Sequence, residues 1–104
     1  MEKRNRRFRY AANGVPYHRQ GLIWFTARCY NDQPEQVRAL IQSACRQAGG
    51  DNAQALFAYV TTGRSMVAIM QDYFIASDTT MYRMINRWYR IMDRELGREN
   101  GGGR

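Results

Sequence analysis

The residues of this chain best suited to chemistry are its arginines. Every one of its 16 basic residues except Lys3 is arginine, set against 9 acidic residues for a net charge of +7. Arg83, Arg87, Arg90 and Arg94 recur at i, i+4, i+7 and i+11, the spacing of one helix face. A guanidinium is planar, permanently charged and able to donate two parallel hydrogen bonds. It therefore grips phosphate oxygens or the edge of guanine where an ammonium offers only a point charge. The chemistry on offer is recognition of an anionic polymer. An arginine-rich genome would produce the same composition without any such partner.

Residues for bond making do not stand out. There are no paired carboxylates, no cluster of metal ligands, no nucleophile beside a base and no phosphate-cradling glycine loop. This predicts a protein that is not an enzyme and takes no cofactor, metal or small-molecule substrate. His18 stands alone and reads as a surface or capping side chain. Cys29 and Cys45, without a CxxC pair, read as reduced, buried thiols acting as small apolar groups.

The charge gathers at the two ends. Residues 1–20 hold six basic and one acidic residue, residues 21–82 hold four and five, and residues 83–104 hold six and three. The opening run, with Arg4, Arg6, Arg7 and Arg9, has no helical period and closes at Asn13 and Gly14. Residues 1–14 are therefore expected to form a flexible basic arm. Such arms become ordered when arginines enter a minor groove or lie along phosphates, and Phe8 or Tyr10 would stack or anchor the arm. A solvated tail with no partner is the alternative. The basic start meets Asn13, Gly14 and Pro16 before any apolar run develops, and the longest greasy segment, residues 55–60, is far too short to span a bilayer. A cytoplasmic protein with no membrane partner is expected.

A chain of 104 residues with 44% hydrophobic and 24% charged side chains suits one globular domain, read here as residues 15–96. The elements that must position the arginine stripe follow from apolar spacing. Residues 15–32 begin with Pro16 and stop at Asn31 and Asp32. Leu22, Phe25 and Cys29, joined by Thr26, form the expected inward stripe, and Gly21 allows a helix start as late as that residue. Residues 33–47 form a second helix, capped by Asp32, with Pro34 in its first turn and Gly49 and Gly50 at its end. Val37, Leu40, Ile41, Ala44, Cys45 and Ala48 make its inner stripe. A third helix over 53–61, capped by Asp51 or Asn52, turns Leu56, Phe57 and Val60 inward. A fourth over 65–73 does the same with Met66, Ile69, Met70 and Tyr73. In the last helix Met81, Met84, Ile85, Trp88, Met92 and Leu96 oppose the arginines. The methionines read chiefly as core, with an adaptable binding surface as the alternative. Glycine-rich residues 97–104 are expected to be a disordered tail. No alternation of strand type occurs, so the chain reads as all-α: a compact bundle of about five helices with a basic N-terminal arm.

The segment Phe74-Ile75-Ala76-Ser77-Asp78-Thr79-Thr80-Met81-Tyr82-Arg83-Met84-Ile85-Asn86-Arg87-Trp88 resembles the second half of a bacterial helix-turn-helix motif. Ser77, Thr80, Met81 and the pair Tyr82 and Arg83 match the family's polar start, its Thr before an inward aliphatic residue and its following polar pair. With the preceding helix, residues 65–88 form the likeness. It implies a recognition helix braced by its predecessor and lying in the major groove of double-stranded DNA. In that setting Ser77, Thr79, Tyr82, Arg83 and Asn86 are candidates for base readout beside Thr80, and Arg87 and Arg90 for phosphates. The place where the family carries a residue tolerant of positive φ falls here on Ile75. Either the turn is one residue longer, with Ile75 as a core plug, or the pair only imitates the motif.

These readings converge on a small DNA-binding protein, a transcriptional regulator or accessory factor whose short, arginine-rich character resembles phage or mobile-element proteins. Trp88 and Tyr89 are expected to protrude past the core and make a homodimer contact, since such proteins often read paired half-sites. A protein-protein interaction adaptor and an RNA-binding protein are the alternatives.

Overall fold

The computed structural model describes residues 14–101, and their side chains as far as Gly97. The expected arm, with Arg4, Arg6, Arg7 and Arg9, lies outside the described residues apart from Gly14. The order of helices is α1 (Tyr17–Arg28), α2 (Glu35–Gly49), α3 (Ala53–Thr62), α4 (Met66–Asp72) and α5 (Asp78–Gly101), with short 3-10 turns before α2 and α3. The described chain is all-helical, with no strand. None of its helices is long and apolar enough to cross a membrane. α5 continues to Gly101, into the stretch read as a tail.

Both prolines stand just before helices. The Pro16 carbonyl accepts from the amides of Arg19 and Gln20 at 3.0 Å, and Pro34 does the same for Val37 and Arg38 at 3.0 Å. Each proline has no N–H to lose and a φ already near the helical value, so it marks a start. α1 accordingly begins at Tyr17, ahead of Gly21. No side chain caps α2 or α3, so the capping roles expected of Asp32, Asp51 and Asn52 are not played. At α4 the Ser65 hydroxyl accepts from the Ala68 amide at 3.1 Å, an N-cap worth about 1 kcal/mol.

α5 is the spine of the core. It packs chiefly against α2, next against α1, and only lightly against α3 and α4. Met81, Met84, Ile85, Trp88, Met92 and Leu96 are all buried, as are Tyr89 and Ile91. Opposite them α2 contributes Ile41 and the small residues Ala44, Cys45 and Ala48. Their size leaves room for the bulky Trp88, whose indole reaches Cys45. Trp88 is 0% and Tyr89 1% exposed, so neither protrudes, and the dimer contact expected of them is corrected. The rings meet edge to face, with centroids 5.1 Å apart.

α1 turns a different face inward from the one its spacing suggests. Gln20, Ile23, Trp24 and Ala27 are buried, whereas Leu22 is 53% and Phe25 65% exposed, which corrects the expected stripe. Cys29 is half-buried, while Cys45 is buried as expected. Inside, the Gln20 Nε2 donates to the Val15 carbonyl at 2.9 Å, while its Oε1 is buried without a hydrogen-bond partner among the described residues. The bond ties the segment entering α1 to the helix itself. Trp24 packs edge to face on Tyr59 of α3 at 5.7 Å, with the Arg28 guanidinium 5.9 Å from its ring centroid. α3 stops at Gly63, which has φ +78, and a Cβ there would lie 2.5 Å from the Arg28 guanidinium. The positive φ is what favours glycine there, since the exposed Arg28 side chain can swing aside.

Candidate nucleic-acid interface

The amphipathy of α5 sorts its side chains. With Met81, Ile85, Trp88 and Met92 inward, Thr79, Arg83, Asn86 and Arg90 fall on the outer side. Thr79, Arg83 and Arg90 are exposed, and Asn86 is half-buried. Arg83 and Arg90 make no ion pair among the described residues, so two guanidinium groups face solvent on one side of the helix. Thr80 lies half-buried toward the core side and is the member of the predicted set least available to a ligand. Tyr82 is 36% exposed at the flank.

The N-terminal end of α5 is built by Ser77 and Asp78. The Ser77 Oγ accepts from the Thr79 amide at 3.1 Å, and Asp78 is the first helical residue, its charge favourable at the positive end of the helix dipole. Ser77 is exposed but has its hydroxyl engaged in this cap.

Arg87 is occupied differently from its neighbours. Its Nη1 donates to the Ala48 carbonyl at 2.9 Å, near the C-terminal end of α2 where helix carbonyls lack intrahelical partners. The arginine expected to grip phosphate thus also clamps α2 onto α5. Farther along, Arg94 pairs with Glu95 at 3.4 Å, and Asp93 pairs with Arg19 of α1. The free cationic surface is therefore narrower than the full stripe of four arginines. It centres on Arg83 and Arg90.

The turn before α5 also differs from expectation. The positive φ falls on Phe74, at +59, and not on Ile75. Ile75 is 8% exposed and fills the core, and its amide donates to the Met70 carbonyl at 2.9 Å. This is the closing bond of a Schellman helix ending, with Phe74 in the left-handed position that glycine normally takes. A side chain there costs roughly 1–2 kcal/mol. The Phe74 ring is 93% exposed, so burial offsets almost none of that cost. Tyr73, expected to point inward, is 38% exposed, and Val67 stands out on α4 at 65%. Arg64 and Asp72, at the two ends of α4, form an ion pair. α4 braces α5 only lightly, so α2 and α1 carry the support that the resemblance assigned to it.

Two clefts lie away from this face, with no α5 side chain in their walls. One of about 500 Å³ lies between α2, α3 and the end of α4, with Gln42, Cys45, Arg46, Phe57 and Tyr73 among its walls. The other, of about 370 Å³, follows the turn after α1 past Tyr30, Asp32 and Thr61. Among the described residues no group of three or more His, Cys, Asp or Glu side chains is placed to hold a metal ion. Burial pushes the Cys45 thiol up from 9.0 to about 12, against the smaller opposing pulls of Arg46 and the Trp88 indole. At neutral pH it is a protonated, unreactive wall.

Comparison with protein-family models, with curated proteins and with solved structures finds no match to this chain.

Proposed function

We propose that this protein binds double-stranded DNA as a small regulator or accessory factor, laying the outer face of α5 along the major groove. The observation carrying this reading is the pair Arg83 and Arg90, exposed and without an ion pair among the described residues, on the side of α5 opposite a fully buried Met81, Trp88 and Met92. Arg83, Asn86 and Thr79 are suited to base edges, and Arg90 to phosphate. Arg4, Arg6, Arg7 and Arg9 would add sequence-independent contacts from the same chain. Arg87 is a positioning residue in this reading, since its guanidinium holds α2 in place.

The test is a gel-shift series on mixed duplex DNA over a range of salt. Binding should weaken steeply as salt rises, by about 0.9 log units of affinity per log unit of salt for each phosphate contact. Arg90→Ala should lower affinity for all sequences alike and reduce that slope by about one contact, whereas Arg83→Ala should relax preference at particular bases. Absence of any retained complex at low salt would defeat the proposal.

A second reading, a protein-interaction adaptor, draws on Leu22 and Phe25, exposed on the outer side of α1. Its signature is a protein partner, or a second copy, whose binding survives nuclease treatment and is lost in Phe25→Ser.

A further inference from the structure

Three of the described helices end with a residue at positive φ, and they are not built alike. α2 and α3 end in glycine, Gly50 at φ +54 and Gly63 at φ +78, the residue that such a conformation favours. α4 ends in Phe74 at φ +59, where a glycine would be easier to accommodate and the ring is 93% exposed. The fold needs the turn, because Ile75 must reach the core and close its bond to Met70. It does not need the ring.

From this mismatch we infer that Phe74 is a nucleic-acid contact residue whose ring stacks on a base or wedges into a base step beside the α5 face. The inference rests on the DNA-binding reading and extends it from charge to stacking. Phe74 precedes the start of α5 by a single short turn, so it sits at the same end of the helix as Thr79 and Arg83. Tyr82, partly exposed, puts a further ring near this end. Aromatic rings interleaved with arginine suit the faces of bases, which are apolar and accept stacking whatever their sequence. The acidic neighbours do not forbid the approach. Asp72 is paired with Arg64, and Asp78 is offset by the positive end of the α5 dipole.

The test compares Phe74→Gly, Phe74→Leu and Phe74→Trp in the full chain, measuring thermal unfolding and binding to duplex DNA. Phe74→Gly should keep or raise Tm, by up to about 4 °C. It should nevertheless bind DNA about 10-fold more weakly, with the salt dependence unchanged because no phosphate contact is lost. Phe74→Trp should retain binding and Phe74→Leu should lose it, which separates stacking from bulk. A fluorescent base analogue in the duplex should brighten or quench with the wild-type chain and stay unperturbed with Phe74→Gly. If Phe74→Gly fails to fold, the Leu and Trp pair decides the matter. Wild-type binding to DNA together with equal binding by Phe74→Gly and Phe74→Leu overturns this inference alone. No DNA binding by the wild-type chain overturns both it and the reading on which it rests.

Discussion

α1 and α5 are both helices against which the core is built, yet they divide their side chains in opposite ways. α5 separates more cleanly: Met81, Met84, Ile85, Trp88, Tyr89, Ile91, Met92 and Leu96 are buried, while Arg83, Arg90 and Arg94, with Thr79, look outward. α1 carries apolar side chains on both sides, Ile23, Trp24 and Ala27 within and Leu22 and Phe25 without, while a glutamine sits in the interior. A helix whose faces differ has its orientation written locally. A helix that is apolar all round is oriented by what it meets, and its outer face remains available for another contact.

The contrast can be tested by weakening each side in turn. The largest effect is expected from Trp88→Ala, which should cost about 3–5 kcal/mol and leave little of the fold by denaturant titration. Next is the contribution that Cys45, beneath α5, makes to the alkaline limb of stability. Because its native pKa is raised from 9.0 to about 12, the thiol contributes its full stability below pH 9.0. As pH rises above that value the unfolded chain releases its proton first, so stability falls until the native thiol ionises near 12. Unfolding midpoints of the wild type and Cys45→Ala should therefore converge, or cross, with rising pH over this window. A constant gap would remove Cys45 from the account. Arg87→Ala should cost about 1 kcal/mol by leaving the Ala48 carbonyl without its donor, visible as faster amide exchange at the end of α2. The smallest effect belongs to Phe25→Ser, within about 0.5 kcal/mol. A larger loss that depends on protein concentration would mean that the outer face of α1 is buried between copies, and the contrast with α5 would collapse.

How far the amino-acid sequence discloses this arrangement follows the same division. In α2 and α5 apolar residues occupy one stripe, so their burial and the exposure of Arg83 and Arg90 could be read from periodicity. In α1 the run Leu22-Ile23-Trp24-Phe25 covers more than half the circumference, so periodicity fits more than one face. The face that is buried carries Gln20, whose bond to Val15 satisfies the amide nitrogen and leaves the oxygen without a partner among the described residues. The engagement of Arg87 was illegible because its acceptor lies 39 residues away in sequence. Phe74 gave no local signal either, since its backbone is set by the need to bury Ile75 and not by its own preference. The residue most easily overlooked at the candidate interface is thus one that violates the local rule.

The central place of α5 has a consequence for how the molecule is made. It is the last of the described helices in chain order, and it is the one against which α1 and α2 bury. On a translating ribosome α2 is complete at Gly49 and α3, which also packs on it, at Thr62, but the α5 side chains arrive only with residues 81–96. At about 5–20 residues per second, the side of α2 that meets α5 waits for roughly 2–10 s. For that interval the nascent chain lacks the helix against which α1 and α2 bury. Its folding is completed when the helix that carries the arginines closes the core.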